Sequence, residues 1–417
     1  MSSSPSAGQS VRTAALAGLA LVSLANLLNY FDRSIFNLVL EPIRREFGLA
    51  NTQVGVLAGA FALLFALMSL PLAWTADKTR RLRVISGSIA FWSLATAATG
   101  LATTFVQLLI ARVAVGAGEA GCLPSSTSLI ADYYPRTRRP AAMAVYQGAG
   151  LVGSMLGLMI VGVLADKVGW RRALIYASLP GMVLAILALI LREPPRGGFD
   201  HAPTRGQAWL PAVGILLRSP TYLMLVAAIT CVSLGFTTLG AWGPSFFVRS
   251  FGLSLSAVGL YFGLAFGFSA AVGTFLGGYL TSRLVARDRR WEFWSPALAY
   301  GLATPLYEMA LRAPSAGAGF LLFGLASFVA FLGYGPTMSL YHVVAPPQVR
   351  ATAVAVGACS AGIVGSFGGP VAVGALTDHL TPALGRHALQ GALSVMFLVF
   401  LAPAALYALA GRRAAAA

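Results

Sequence analysis

The sequence predicts an all-α integral membrane protein of twelve transmembrane helices in two pseudo-symmetric six-helix bundles, and three observations carry that prediction. Of its 417 residues, 57% are hydrophobic and only 10% charged, against roughly 25% charged in an ordinary soluble domain. Apolar runs of about 20 residues, the length that crosses a bilayer, recur along the whole chain. The two halves also repeat one another at a fixed offset. Such a composition rules out a soluble enzyme, and the basic excess of 29 Lys and Arg over 13 Asp and Glu reads as membrane topology rather than as a nucleic-acid footprint.

In chain order, the Ser-rich Met1 to Arg12 precedes an apolar run of more than twenty residues without a small-residue cleavage site, so it opens a spanning helix and not a signal peptide. Spanning runs fall at 14–40, 53–75, 84–103, 105–131, 141–165 and 172–191, then at 221–247, 255–282, 293–312, 317–341, 351–376 and 388–410. Between the two sets lies a stretch carrying Glu193, Pro194, Pro195, Gly197, Gly198, Asp200, Pro203 and Arg205. It reads as a cytoplasmic linker over 193–219 between bundles at 1–192 and 220–417. Cys122, Cys231 and Cys359 sit inside apolar runs without paired spacing. They predict buried small residues and neither a disulfide framework nor a metal site.

Placing the N-terminus inside puts most of the basic residues in inner loops. Arg44, Arg45, Lys167, Arg171, Arg172, Arg249, Arg312 and Arg386 are left outside, and Arg33 and Arg112 within helices. Both termini are therefore expected in the cytoplasm, in a bacterial inner (plasma) membrane. The repeat is carried by Arg45-Glu46-Phe47-Gly48-Leu49 with Val54-Gly55, which matches Arg249-Ser250-Phe251-Gly252-Leu253 with Val258-Gly259 at an offset of 204. A shorter repeat nests inside each half. Asp77-Lys78-Thr79-Arg80-Arg81 follows the second helix and Asp166-Lys167-Val168-Gly169-Trp170-Arg171-Arg172 the fifth; Ser282-Arg283 with Arg287, Arg289 and Arg290 follows the eighth, and Asp378-His379 with Arg386-His387 the eleventh. A twice-duplicated transporter would carry such turns.

Two six-helix halves, a long inner linker and the turn after the second helix resemble the major facilitator superfamily over essentially the whole chain. The turn departs from the usual pattern, since Ala73 stands where its first Gly is expected and Thr79 replaces the second. Within that superfamily, Asn29-Tyr30-Phe31-Asp32-Arg33, and Gly116-Ala117-Gly118-Glu119-Ala120-Gly121 followed by Pro124 and Ile130-Ala131-Asp132, resemble the Spinster branch. The resemblance implies proton-coupled movement of sphingoid lipids or lysolipids. A first-helix motif of this kind also occurs in organic-anion transporters, so the combination is more telling than either part.

Ionisable side chains at mid-membrane cost roughly 2.5–3.5 kcal/mol on insertion scales and usually face a partner or a cavity. Asp32, Arg33, Arg112 and Glu119 are expected well inside helices. At 1.5 Å per residue, Asp32, Arg33 and Arg112 fall about 7–9 Å from the membrane centre and Glu119 at it. Two acids and two arginines could thus meet across the first and fourth helices as a proton-coupling site, or form a static charge-compensated lock. Asn29 lies one turn before Asp32 and Arg33. By the same offset Asp32 maps to Phe236, Arg33 to Thr237 and Glu119 to Phe323, which confines proton chemistry to one half. Opposite it, Trp242, Phe246 and Phe247 with Tyr334 and Tyr341, beside Pro244 and Pro336, are expected to offer an aromatic wall to an amphiphile's tail or simply to pack helices. Asn29, Tyr30 and Arg33 would then hold its head. Asp77, Arg80 and Arg81 are expected to brace an inner gate, with Asp166 on the outer side as its counterpart.

Lys78 and Lys167 are the only lysines, so no phosphate-binding Gly-Lys-Ser/Thr loop exists and ATP is not the energy source. The drug-antiporter signature of the fifth helix would need Gly-Pro, and Ser154 follows Gly153. Gly153-Gly157, Gly263-Gly267, Gly273-Gly277 and Gly365-Gly369 predict close helix approach. His201, His342, His379 and His387 fall in loops or at helix ends, which argues against a membrane enzyme. The reading is a secondary transporter of an amphiphilic, lipid-like substrate, with no cofactor or metal. Its expected partners are substrate, protons and membrane lipids, not nucleic acid, and it is expected to be a monomer. An organic-anion symporter and a drug antiporter are the rival readings.

Overall fold

The computed structural model describes residues 7–135, 137–191, 193–196, 209–346 and 349–414. Every regular element among these residues is helical. The first eight are α1 (Ala7–Phe47), α2 (Asn51–Lys78), α3 (Arg81–Leu101), α4 (Phe105–Glu119), α5 (Cys122–Tyr133), α6 (Arg139–Val168), α7 (Trp170–Ile190) and α8 (Trp209–Leu217). After them come α9 (Pro220–Phe251), α10 (Leu255–Val285), α11 (Trp291–Leu311), α12 (Ala316–Leu332), α13 (Tyr334–Val344), α14 (Arg350–Ser360), α15 (Gly368–Leu384), α16 (Ala388–Phe397) and α17 (Leu401–Ala414).

These build twelve membrane crossings. Helices α4 with α5 and α12 with α13 each form one broken span, Phe105–Tyr133 and Ala316–Tyr341. The apolar stretch Thr352–Arg413 reverses direction at Gly385, whose φ of +51° suits a residue without a side chain, and so supplies two. At 21 residues α11 is long enough to cross although Pro296, Pro305, Glu292 and Glu308 lower its hydropathy. Short α8 lies inside the stretch read from sequence as linker, because Trp209 to Leu217 is an apolar run of its own. The middle of that linker, including Gly197, Asp200 and Arg205, lies outside the described residues.

Local chemistry sets the helix ends. Thr104, Ser219, Ser254 and Ser315 each accept a first-turn N–H at the start of α4, α9, α10 and α12. Gly48 and Gly252 close α1 and α9 at φ +60° and +65°, so the 204-residue repeat duplicates a left-handed C-cap. Its second part duplicates a close approach. A Cβ on Gly55 would lie 2.3 Å from the Pro370 carbonyl oxygen, and one on Gly259 would lie 2.2 Å from that of Leu158. The break at Gly333 follows from Pro336, which has no N–H to continue the ladder and crowds the carbonyl of Leu332. Between α14 and α15 the ladder widens to a π-helix over Ala361–Phe367, where the Ser233 and Thr237 hydroxyls of α9 donate to the Ala361 and Gly365 carbonyls.

Packing divides the chain into two compact units that do not follow chain order. One comprises Met1–Phe36, Ala60–Gly157 and Leu164–Thr204; the other comprises Asn37–Gly59, Leu158–Val163 and Arg205–Ala417. In the first, α1 lies against α6 through glycines: Cβ atoms on Gly153 and Gly157 would approach the Leu27 and Phe31 carbonyl oxygens to 2.0 and 2.8 Å. In the second, the core is aromatic, with Phe247 stacked on Phe320 at 3.8 Å and Tyr307 on Phe397 at 4.6 Å.

Candidate functional site

All four ionisable residues expected at mid-membrane meet in the first unit, in crossed pairs. Arg33 of α1 donates from Nε to Glu119 Oε2 of α4 at 2.6 Å, while Arg112 of α4 sets Nη1 3.6 Å from Asp32 Oδ2 of α1. Thr96 of α3 donates to Asp32 Oδ1 at 2.6 Å. Each acid thus keeps one oxygen engaged and one without a hydrogen bond, Asp32 Oδ2 and Glu119 Oε1. Asp32, Arg112 and Glu119 are buried at 5, 2 and 1% exposure. A buried acid and base of matched number avoid the cost of an uncompensated charge.

The glycines of the fourth helix explain how Glu119 comes to this place. A Cβ on Gly116 would lie 2.1 Å from the Phe61 carbonyl oxygen of α2, and those on Gly118 and Gly121 would strike Trp92 and Ser88 of α3 at 2.8 and 2.3 Å. Only glycine lets α4 wedge between α2 and α3 at this depth. The helix then breaks after Glu119, and Pro124 stands in the first turn of α5, where its missing N–H costs nothing. Rings of α1 and α2 stand on the cations. Arg33 faces Tyr30, Phe61 and Phe65 at 5.4, 5.1 and 4.9 Å, and Arg112 lies 3.8 Å from the Phe36 ring centre. A narrow crevice between α1, α3 and α7, lined in part by Trp92, Ser93 and Ser178, reaches Asp32.

Asn29 is buried beside this cluster on α1, and Tyr30 is 38% exposed. The expected aromatic wall is mostly core. Trp242, Phe246 and Tyr341 are buried at 0, 2 and 4%. Trp242 donates its ring N–H to the Pro370 carbonyl at 3.0 Å, Phe246 packs edge-on to Phe247 and Phe251, and Tyr341 lies against Gly357. Close packing fills the space around these rings, so they offer no open face to a ligand here. Tyr334 is the exception at 37% exposure, 6.0 Å from Phe236. Phe236, at the position matching Asp32, also stacks on Phe331 at 4.4 Å, and Phe323, matching Glu119, packs against Phe262 at 5.0 Å. Where one unit has its charges, the other has rings.

The turn after α2 is also arranged differently from expectation. Asp77 is exposed and its carboxylate has no hydrogen bond among the described residues; only its carbonyl takes part, accepting from Arg196. Arg80 reaches the Leu191 carbonyl at 3.5 Å. Arg81 is buried and binds Asp132 of α5 at 2.5 Å, Glu193 at 2.8 Å and Ser128 at 2.8 Å, so it ties α3, α5 and the start of the linker within one unit. Asp166 is exposed on the last turn of α6, while nearby Arg171 donates to the Gly100 and Ala102 carbonyls. Cys359 is exposed rather than buried.

Sequence reasoning missed a second polar cluster, which lies wholly in the second unit. Glu41 of α1, 1% exposed, accepts from Arg249 Nε at 2.7 Å, Arg44 Nη2 at 3.0 Å and Arg45 Nε at 3.1 Å. Arg249 also donates to Asn51 Oδ1 at 2.8 Å. The N–H groups and side chains of Asn51 and Thr52 donate to the Asp378 carboxylate at 2.7–3.0 Å, capping α2 from α15. Because α1 runs on to Phe47, Glu41 is a helix residue and not the loop acid that a run ending at residue 40 suggests. The signal was present: Arg249 is the repeat partner of Arg45.

The sequence matches the Major Facilitator Superfamily over residues 22–370. The chain belongs to that superfamily. Over 388 residues, 92% of this chain and 89% of the relative, it is 32% identical to an MFS-type efflux pump of Mycolicibacterium smegmatis. It is 26% identical over 411 residues to a sphingosine-1-phosphate transporter of Danio rerio, covering 93% and 81% of the two chains. A crystal structure of a bacterial homologue of the human lysosomal transporter Spinster, in an inward-facing and unoccupied conformation, superposes with a TM-score of 0.85 at 26% identity, covering 96% of this chain and 97% of that one. This Spinster-like superfamily member is an integral membrane transporter.

Proposed function

We propose that the protein is a proton-coupled secondary transporter of an amphiphilic, lipid-like substrate, a sphingoid lipid or lysolipid, working by alternating access. The observation that carries this reading is the crossed cluster of Asp32, Arg33, Arg112 and Glu119, charge-matched, with both acids buried and one oxygen of each accepting no hydrogen bond. Protonating Glu119 removes the charge that holds Arg33, and losing that proton restores it. Arg33 is the most exposed member of the cluster, at 25% side-chain exposure. It stands beside the exposed ring of Tyr30, so an anionic or phosphate-bearing head group can compete with Glu119 for it. Binding and protonation are then linked through one guanidinium. Taken by itself, the other unit carries half-buried Phe236 and exposed Tyr334, rings without charge at the positions where the repeat would place charges. Similarity to a sphingosine-1-phosphate transporter supports the lipid assignment.

Alternating access needs contacts that are made in one state and broken in the other. The Glu41–Arg249–Asn51–Asp378 cluster serves that role at the ends of α1 and α2, and Arg81 braces the turn after α2. Asp77, free of carboxylate bonds in this state, is the group that engages in the other. Both termini and the linker face the cytoplasm, and the protein acts as a monomer in a bacterial inner membrane.

The deciding measurement is uptake of a labelled lysophospholipid or phosphorylated sphingoid base by proteoliposomes under an imposed pH gradient. Accumulation that collapses with the gradient is expected; gradient-independent uptake overturns coupling. Similarity to an efflux pump favours one second reading, a drug:proton antiporter. Gradient-driven movement of unrelated cationic drugs, without movement of lysolipid, would replace the lipid assignment with it.

A further inference from the structure

The turn between α10 and α11 breaks the pattern of its three counterparts. The turns after α2, α6 and α15 are marked by Asp77, Asp166 and Asp378, whereas Ser282 stands at that place after α10 and is followed by Arg283, Arg287, Arg289 and Arg290. All four arginines are exposed, and none has an ion-pair partner among the described residues. Of the two local acids, Asp288 accepts the backbone N–H of Arg290 at 2.9 Å through Oδ1, and neither it nor Glu292 makes an ion pair with these arginines among the described residues. Two further exposed arginines, Arg412 and Arg413, arrive on the last turn of α17. Gly411 makes this possible: a Cβ there would lie 3.0 Å from the Trp294 ring, so the end of α17 abuts the start of α11.

Aromatic rings frame the basic patch. Trp291 and Trp294 stand edge to face at 6.1 Å, and the Arg283 guanidinium lies 4.5 Å from the Tyr279 ring centre. Tyr279 continues an exposed stripe on α10 through Phe275 and Phe268, at 46, 79 and 64% exposure. Those residues are spaced by four and seven along the helix and so share one face. Tryptophan and tyrosine mark the membrane–water boundary. An apolar stripe therefore runs up the lipid-facing side of α10 and ends at head-group level in arginines that outnumber the nearby acids and pair with none of them.

We propose that this corner is a binding site for the phosphate-bearing head group of an anionic membrane phospholipid, its chain lying along Phe268, Phe275 and Tyr279. The arginines hold the phosphate, and the rings fix its depth. The assignment stands apart from the transport reading, because none of these residues touches the Asp32–Glu119 cluster.

The test is native mass spectrometry of the delipidated full-length protein titrated with phosphatidylglycerol, phosphatidylcholine or free glycerol phosphate. Phosphatidylglycerol is expected to bind at least tenfold more tightly than either of the others. The triple variant Arg287→Gln/Arg289→Gln/Arg290→Gln should lose at least tenfold. A charge-matched control, Arg83→Gln/Arg138→Gln/Arg218→Gln, should retain the affinity. Ser282→Asp, a single surface change that restores the acid of the other turns, should weaken binding in the same direction and serves if the triple variant fails to fold. Equal loss in the control overturns the site in favour of general surface attraction, and equal binding of glycerol phosphate overturns the lipid source. Absence of any preference over phosphatidylcholine overturns the proposal outright.

Discussion

Replacing Asp378 by Asn tests whether the cluster between the start of α2 and the C-terminal part of α15 holds one transport state. The carboxylate accepts four hydrogen bonds, from the Asn51 and Thr52 N–H groups, Asn51 Nδ2 and Thr52 Oγ1. An Asn keeps one acceptor oxygen. Its amide N–H₂ group would face the Thr52 N–H, a donor against a donor, and the negative charge at the N-terminus of α2 is gone. A helix-terminal charge is worth roughly 0.3–1 kcal/mol at a part-exposed site, and leaving one first-turn N–H without its charged acceptor costs about 1.5–2 kcal/mol. The sum is about 2–3 kcal/mol, a shift of about 30- to 150-fold in the population of the state that carries the cluster. Spin labels at exposed Ala50 and Ala383, in a background without Cys122, Cys231 and Cys359, read this directly as electron–electron distances. Wild type should give one dominant short distance and Asp378→Asn a second, longer one. Superimposable distributions would show that the cluster is present in every state and contributes nothing to gating.

Glu119→Gln keeps the shape of the side chain and removes its titration, so gradient-driven accumulation should vanish while counterflow exchange at equal pH persists; pH-driven uptake at the wild-type rate would sink the coupling role. Affinity should rise about tenfold for each two carbons added to the substrate tail until the apolar surface is filled, at about 0.8 kcal/mol per CH₂, and a flat series would count against a lipid substrate. Arg81→Gln removes the buried guanidinium that binds both Asp132 and Glu193 and should cost about 3–5 kcal/mol; an unchanged thermal midpoint would refute the bracing role. Gly116→Ala sets two effects against each other, a helix-propensity gain of about 1 kcal/mol and a Cβ 2.1 Å from the Phe61 carbonyl oxygen. Overpacking costs about 1–3 kcal/mol and backbone cannot step aside, so the variant should be less stable and poorly active. Stabilisation would show that α4 and α2 stand farther apart.

The spanning helices, the duplicated turns and the identities of the four charges at mid-membrane were legible from the sequence by itself. Hydrophobic run length is a local property, set by bilayer thickness, and a charge inside such a run is conspicuous because hydrocarbon penalises it. The repeat was legible too, because Gly48 and Gly252 are needed for the same left-handed C-cap wherever it occurs.

What only the tertiary structure decided is which side chains meet. Depth along a helix placed Arg33 level with Arg112, yet Arg33 reaches Glu119 and Arg112 faces Asp32, because α4 crosses α1 at a height set by Gly116 and Gly118 packing against α2 and α3. Apolar aromatics such as Trp242 and Phe246 look the same in sequence whether they line a cavity or fill a core; here neighbouring rings and the Pro370 carbonyl bury them. The same holds for Glu41 and Asp378. Their partners Arg249, Asn51 and Thr52 lie roughly 200 to 330 positions away along the chain, and no periodicity of 3.6 residues carries information over that distance. A helix reports its own faces, and only packing reports what each face touches.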